Sequence, residues 1–104
     1  MPKPDGVASL VDLGSTTCVP CKMMAPVLDA LAEDYKGTLE VVFIDVGKDR
    51  SAAGKYGVRA IPTQVFYDAD GKEIFRHVGF YSREDILAKF RELGIELKKE
   101  RKHD

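Results

Sequence analysis

Tryptophan is absent from this chain of 104 residues, and cysteine and histidine occur only twice each. A structural zinc site needs four Cys or His ligands. Here the only histidines are His77 and His103, far apart in sequence and the second in a charged tail, which argues against a site within one chain. No large charge of one sign exists either: 16 basic residues against 17 acidic ones leave a net charge of −1. No affinity for nucleic acid or an acidic membrane follows from such a balance. No apolar run approaches the ~20 residues a bilayer-spanning helix requires. The opening Met1-Pro2-Lys3-Pro4-Asp5-Gly6 lacks the apolar stretch of a secretory signal. The expected location is cytoplasmic, with a processed periplasmic or other extracytoplasmic domain as the alternative, since a mature domain would start in the same way. Repeats, low-complexity blocks and linkers are also missing. With 44% apolar and 32% charged residues, the length predicts one domain, 1–104, with a polar flexible lead (1–6) and a charged tail (96–104).

What the chain does have is Cys18-Val19-Pro20-Cys21, placed between a Gly14-Ser15-Thr16-Thr17 break and a strongly helical pattern beginning at Lys22. Two thiols at this spacing can close a small disulfide ring at the first turn of a helix. First-turn N–H groups have no intrahelical partner, so with Lys22 nearby they favour a thiolate at Cys18. Pro20 fits there because its nitrogen needs no acceptor. A permanent structural disulfide is the duller reading, but a loop of two residues constrains the unfolded chain least of all loop sizes. Two inert thiols agree poorly with a lysine-flanked helix start. The spacing points to thiol–disulfide exchange: one sulfur attacks, and the second resolves the mixed disulfide.

Ala8 to Leu13 reads as a buried strand, and Asp12 interrupts it. Leu10, Val11 and Leu13 leave little room for a wet face, so the carboxyl is expected inside a central strand. Met24, Val27, Leu28, Leu31, Ala32 and Tyr35 form a helical stripe that Pro26 should kink and Gly37 should end. Leu39 to Val46 is a second β-branched run without clean alternation. Strand, long helix and strand together predict a parallel βαβ unit. Ser51 is a candidate cap for a short helix, Ala52 to Tyr56, stopped by Gly57. A strand from Thr63 to Tyr67, a turn at Asp68-Ala69-Asp70-Gly71 and a strand from Glu73 to Val78 predict a hairpin. His77 reads as a satisfied strand residue, since no partner stands at a fixed spacing from it. Ser82 with Asp85 resembles a capping box, and Ile86, Phe90, Leu93 and Leu97 mark the face of a last helix that Gly94 can terminate.

This order of elements resembles the thioredoxin family from about Val7 to Leu93. Cys18-Val19-Pro20-Cys21-Lys22-Met23-Met24-Ala25-Pro26 is similar to the family's Cys-Gly-Pro-Cys-Lys-x-x-x-Pro segment. Asp12, six residues before Cys18, matches a buried aspartate. Tyr56-Gly57-Val58-Arg59-Ala60-Ile61-Pro62-Thr63 is similar to the family's substrate loop, and Gly79 matches the glycine before the last helix. The resemblance implies a three-layer α/β/α fold on a mixed sheet of about four strands, with a C-terminal hairpin followed by a helix. It also implies Cys18 as the attacking thiol, Cys21 as the resolving thiol and Asp12 as the group moving protons to and from Cys21. Pro62 is implied to be cis, with Ile61, Pro62, Gly79, Thr17, Val19 and Pro20 contacting substrate. Disulfide-containing proteins are the implied substrates. The implied electron donor is a thioredoxin-reductase-type flavoenzyme or a membrane thiol carrier, and the chain is expected to be a monomer without cofactor or metal.

The departures from the family pattern carry expectations of their own. Gly14 and Thr17 stand where the family usually has tryptophans, which thins the apolar rim for docking. Phe43 matches the place of a lysine beside the aspartate; without that cation the Asp12 pKa should be higher. Val19 replaces a glycine between the cysteines, and the family's first strand and helix are largely missing. The alternatives are an extracytoplasmic domain for cytochrome maturation or disulfide isomerisation, and a module on the same fold whose thiols hold a metal or dock a partner without turnover. A glutaredoxin-like enzyme is disfavoured, because its CxxC typically encloses an aromatic residue.

Overall fold

The computed structural model describes residues 6–99. The lead before Gly6 and the last residues of the charged tail lie outside them. Four strands, β1 (Ala8–Gly14), β2 (Leu39–Asp45), β3 (Thr63–Tyr67) and β4 (Glu73–Val78), form one sheet in the order β2-β1-β3-β4. β1 runs parallel to β2 and antiparallel to β3, and β3 runs antiparallel to β4, so the sheet is mixed as expected. Every residue of β1 and β3 is buried, which fits the two interior positions and explains why neither sequence alternates. β2 is an edge strand, and its Phe43 is 45% exposed.

Three helices, α1 (Val19–Asp34), α2 (Arg50–Tyr56) and α3 (Arg83–Glu92), cover the two faces. On one face Met24, Leu28 and Leu31 of α1 and Ile86 and Phe90 of α3 pack with Leu10 and Phe66. On the other, Ala52 and Tyr56 of α2 pack with Val11, Leu13, Val65 and Tyr67. Adjacent residues on a strand feed opposite faces, and three layers result.

Local boundaries follow local chemistry. Pro26 lies inside α1, where the Lys22 carbonyl loses its usual donor four residues on. α1 stops at Asp34, earlier than the stripe suggested, and the chain turns through Gly37 at φ +89°. α2 starts at Arg50 with Asp49, not Ser51, in the capping position; the Ser51 hydroxyl donates to the Asp49 carboxylate at 2.7 Å. Gly57 closes α2 in the left-handed region, φ +66°.

Ser82 caps α3, its Oγ accepting from the Asp85 N–H at 3.0 Å. Ser82→Ala should lower stability by about 1 kcal/mol in urea unfolding, with no effect on the thiols. α3 ends before Gly94, so Leu97 does not extend its face as a helix. Ile95 and Leu97 still pack on the core, and Thr38 Oγ1 donates to the Lys98 carbonyl at 3.0 Å, tying down this part of the charged tail.

Candidate active site

The strand registers assemble the site. Ile44, Leu13, Thr63 and Val78 form one row across all four strands, and Gly14, Pro62 and Gly79 lie one residue further toward the same end. The Gly79 N–H donates to the Pro62 carbonyl at 2.7 Å, joining two of the expected substrate-contacting residues. The Ile61–Pro62 bond is cis, as the resemblance implied.

Cys18 sits at the N-cap of α1 in extended conformation, and Val19 and Pro20 open the helix. A small turn presents it: Cys18 N–H donates to the Ser15 carbonyl at 3.3 Å, and Thr17 N–H to Ser15 Oγ at 3.2 Å. Cys18 is half-buried and Cys21 is 4% exposed, and both are free thiols. Gly14 brings β1 against the second sulfur, since a Cβ added there would stand 3.1 Å from Cys21 Sγ. Val19 (68%) and Met23 (51%) are exposed on α1, as are Val78 (58%) and Phe80 (40%) on either side of Gly79. These supply apolar surface in a chain without tryptophan.

Electrostatics separate the two sulfurs. Burial pushes the Cys21 thiol up to about 11, aided by its hydrogen bond to Cys18 and opposed by one from the Ser15 backbone. The Asp12 charge adds a smaller push in the same direction, so the two groups sense each other. Asp12 itself is fully buried, and desolvation raises its carboxyl from 3.8 to about 6 against the pull of a hydrogen bond from Gln64. Phe43, its partner in the β1–β2 register, offers no charge to oppose that shift. An apolar cavity of about 310 Å³ lies beside Cys21, lined also by Lys22, Ala25, Leu28, Asp29 and Phe43.

Gln64 and His77 were not read from the sequence as part of this site. Gln64 Nε2 donates to Asp12 Oδ1 at 2.9 Å, and Gln64 Oε1 lies 3.0 Å from His77 Nδ1. The available signal was a glutamine two residues past Pro62, beside the apolar Val65-Phe66-Tyr67 run of a strand that proves fully buried. Among the described residues, no group of three or more His, Cys, Asp or Glu side chains is arranged to hold a metal.

Comparison with known proteins agrees with this geometry. The family model described as Thioredoxin matches residues 5–92. Thioredoxin from Staphylococcus aureus is 42% identical over 84 residues, covering 81% of this chain and 80% of that protein. Among solved structures, a mutant thioredoxin from Halobacterium salinarum NRC-1 superimposes with a TM-score of 0.75 at 34% identity, over 90% of this chain and 80% of that one. The germline-specific thioredoxin Deadhead of Drosophila melanogaster gives 0.75 at 28% identity, over 86% and 84%. A dithiol at a helix start, a buried carboxyl behind it and a match spanning most of the sequence lead to one conclusion: the chain belongs to the thioredoxin family of thiol–disulfide oxidoreductases.

Proposed function

We propose that the chain reduces disulfide bonds in other proteins, with Cys18 attacking, Cys21 resolving and Asp12 handling the Cys21 proton. The observation that carries this reading is the contrast between a half-exposed sulfur at a helix start and a buried, proton-retaining one beside an ionisable carboxyl. Cys18 thiolate attacks one sulfur of the substrate disulfide; the Cys18–substrate bond forms as the substrate S–S bond breaks and the first substrate thiolate leaves. Cys21 then gives up its proton and attacks Cys18, expelling the second thiolate and leaving a Cys18–Cys21 disulfide. Two electrons pass from the chain to the substrate.

Asp12 suits the middle of this sequence. Its value near 6 lets it be ionised at neutral pH and still accept a proton. Its Oδ2 is buried without a hydrogen-bond partner among the described residues and so is free for that exchange. Contact with an extended substrate segment is assigned to Ile61, Gly79, Thr17, Val19 and Pro20, together with Pro62, which is itself buried. Disulfide-bearing proteins are the substrates, and a reductase-type flavoenzyme, the usual cytoplasmic donor of the family, restores the dithiol. No helix of the described residues is long and apolar enough to cross a membrane.

The test is insulin-disulfide reduction with dithiothreitol, alongside equilibration of the Cys18–Cys21 pair against glutathione buffers. Catalytic precipitation of insulin with a reducing equilibrium supports the assignment. Negligible turnover with stoichiometric metal binding would instead indicate a module that only binds.

A further inference from the structure

We infer that His77 is a positioning residue for Asp12, acting through the side-chain amide of Gln64. This rests on the reading of Asp12 as the proton acceptor of the resolving step. Asp12, Gln64 and His77 are successive partners in the β1–β3 and β3–β4 registers, so their side chains share one face in one row. Gln64 is fully buried and makes a hydrogen bond at each end. The row meets Phe43 on β2 at one end, Cys21 on α1 beside Asp12, and Tyr81 after β4 at the other end. From α3, Lys89 stands over the ring of Phe75, two residues before His77 on β4.

An amide has two orientations, and each selects a different proton arrangement. With Nε2 toward Asp12 it donates to Oδ1, which an ionised carboxylate requires because it can only accept. Oε1 then faces His77 and must receive a proton from Nδ1, which only the Nδ1–H tautomer or the imidazolium provides. Turned over, the amide would present its oxygen to Asp12. That repels a carboxylate and suits only a protonated acid, and it needs a bare Nδ1 on His77. The state of one imidazole nitrogen therefore decides which form of the buried carboxyl is favoured.

The imidazole is held for this task. It stacks on Tyr81 with centroids 3.8 Å apart and planes 6° from parallel, and the Tyr81 N–H is anchored on Met24 Sδ at 3.4 Å. The stack fixes the ring plane, and the hydrogen bond to Gln64 Oε1 sets which ring edge faces Gln64. The orientation also fixes which Asp12 oxygen is occupied: Oδ1 is bound, and Oδ2 remains for the proton.

Long-range ¹H–¹⁵N spectra of the reduced full chain at pH 7.5 should show His77 protonated at Nδ1. Asp12 carboxyl ¹³C titrations should then separate two variants. His77→Phe keeps a ring against Tyr81 but removes the donor, and should raise the Asp12 midpoint by about one pH unit. His77→Asn carries an N–H donor at the position of Nδ1 and should hold the midpoint near its original value. An Nε2–H tautomer in the unaltered chain, or an unmoved midpoint in His77→Phe, overturns the assignment. If the midpoint moves as stated but the pH profile of mixed-disulfide resolution does not follow, the role of His77 stands. The role of Asp12 as proton acceptor then fails.

Discussion

Cys21→Ser is expected to abolish turnover and leave substrate attached to Cys18 through a disulfide that dithiothreitol releases. The attacking sulfur is the accessible one, whereas Cys21 is 4% exposed and keeps its proton until about pH 11. With serine at 21 the first exchange still proceeds, but no second thiol remains to expel the substrate, and the adduct accumulates stoichiometrically. Mass spectrometry of the chain mixed with insulin reads this directly. Cys18→Ser should form no adduct at neutral pH, because the remaining sulfur is buried and protonated. If the two variants gave equal yields of adduct, the division of labour between the cysteines would be wrong.

Asp12→Asn is expected to stabilise the fold by about 3 kcal/mol at pH 7.5 while slowing resolution roughly 100-fold. The carboxyl titrates near 3.8 when unfolded and near 6 in the fold. It thus holds its proton more tightly in the folded state. Its favourable contribution is complete below pH 3.8 and is lost as pH rises through about 6. Above that, the fold carries a buried anion, and the gap converts at about 1.4 kcal/mol per pH unit. The advantage of the asparagine variant should therefore vanish below about pH 4 and level off above about pH 7. Urea unfolding across that range tests the sign. The rate carries the opposite cost, because asparagine cannot take the Cys21 proton. Decay of the mixed disulfide should rise through pH 6 in the parent chain and lack that inflection in the variant. Equal decay rates at every pH would remove Asp12 from the chemistry.

Much of this is legible in the sequence. β1 and α1 announce themselves by an apolar run and a helical stripe, and Asp12 stands out because it breaks the run. The cis bond at Pro62 was reachable only through resemblance, since no local composition distinguishes the isomers. The Asp12–Gln64–His77 row was hidden for a different reason. Its outer members are 65 positions apart, and their meeting depends on two strand registers that periodicity does not set. The cap of α2 was misplaced because Asp49 and Ser51 are both good capping residues, and the hydroxyl spends itself on the carboxylate. The exposure of Phe43 was not legible, because edge and centre strands can share a β-branched composition.

Gly14 has a consequence for what the scaffold tolerates. A Cβ there would stand 3.1 Å from Cys21 Sγ, so any side chain at this position would have to push the inner sulfur aside. Room for the resolving thiol therefore depends on a strand position left bare.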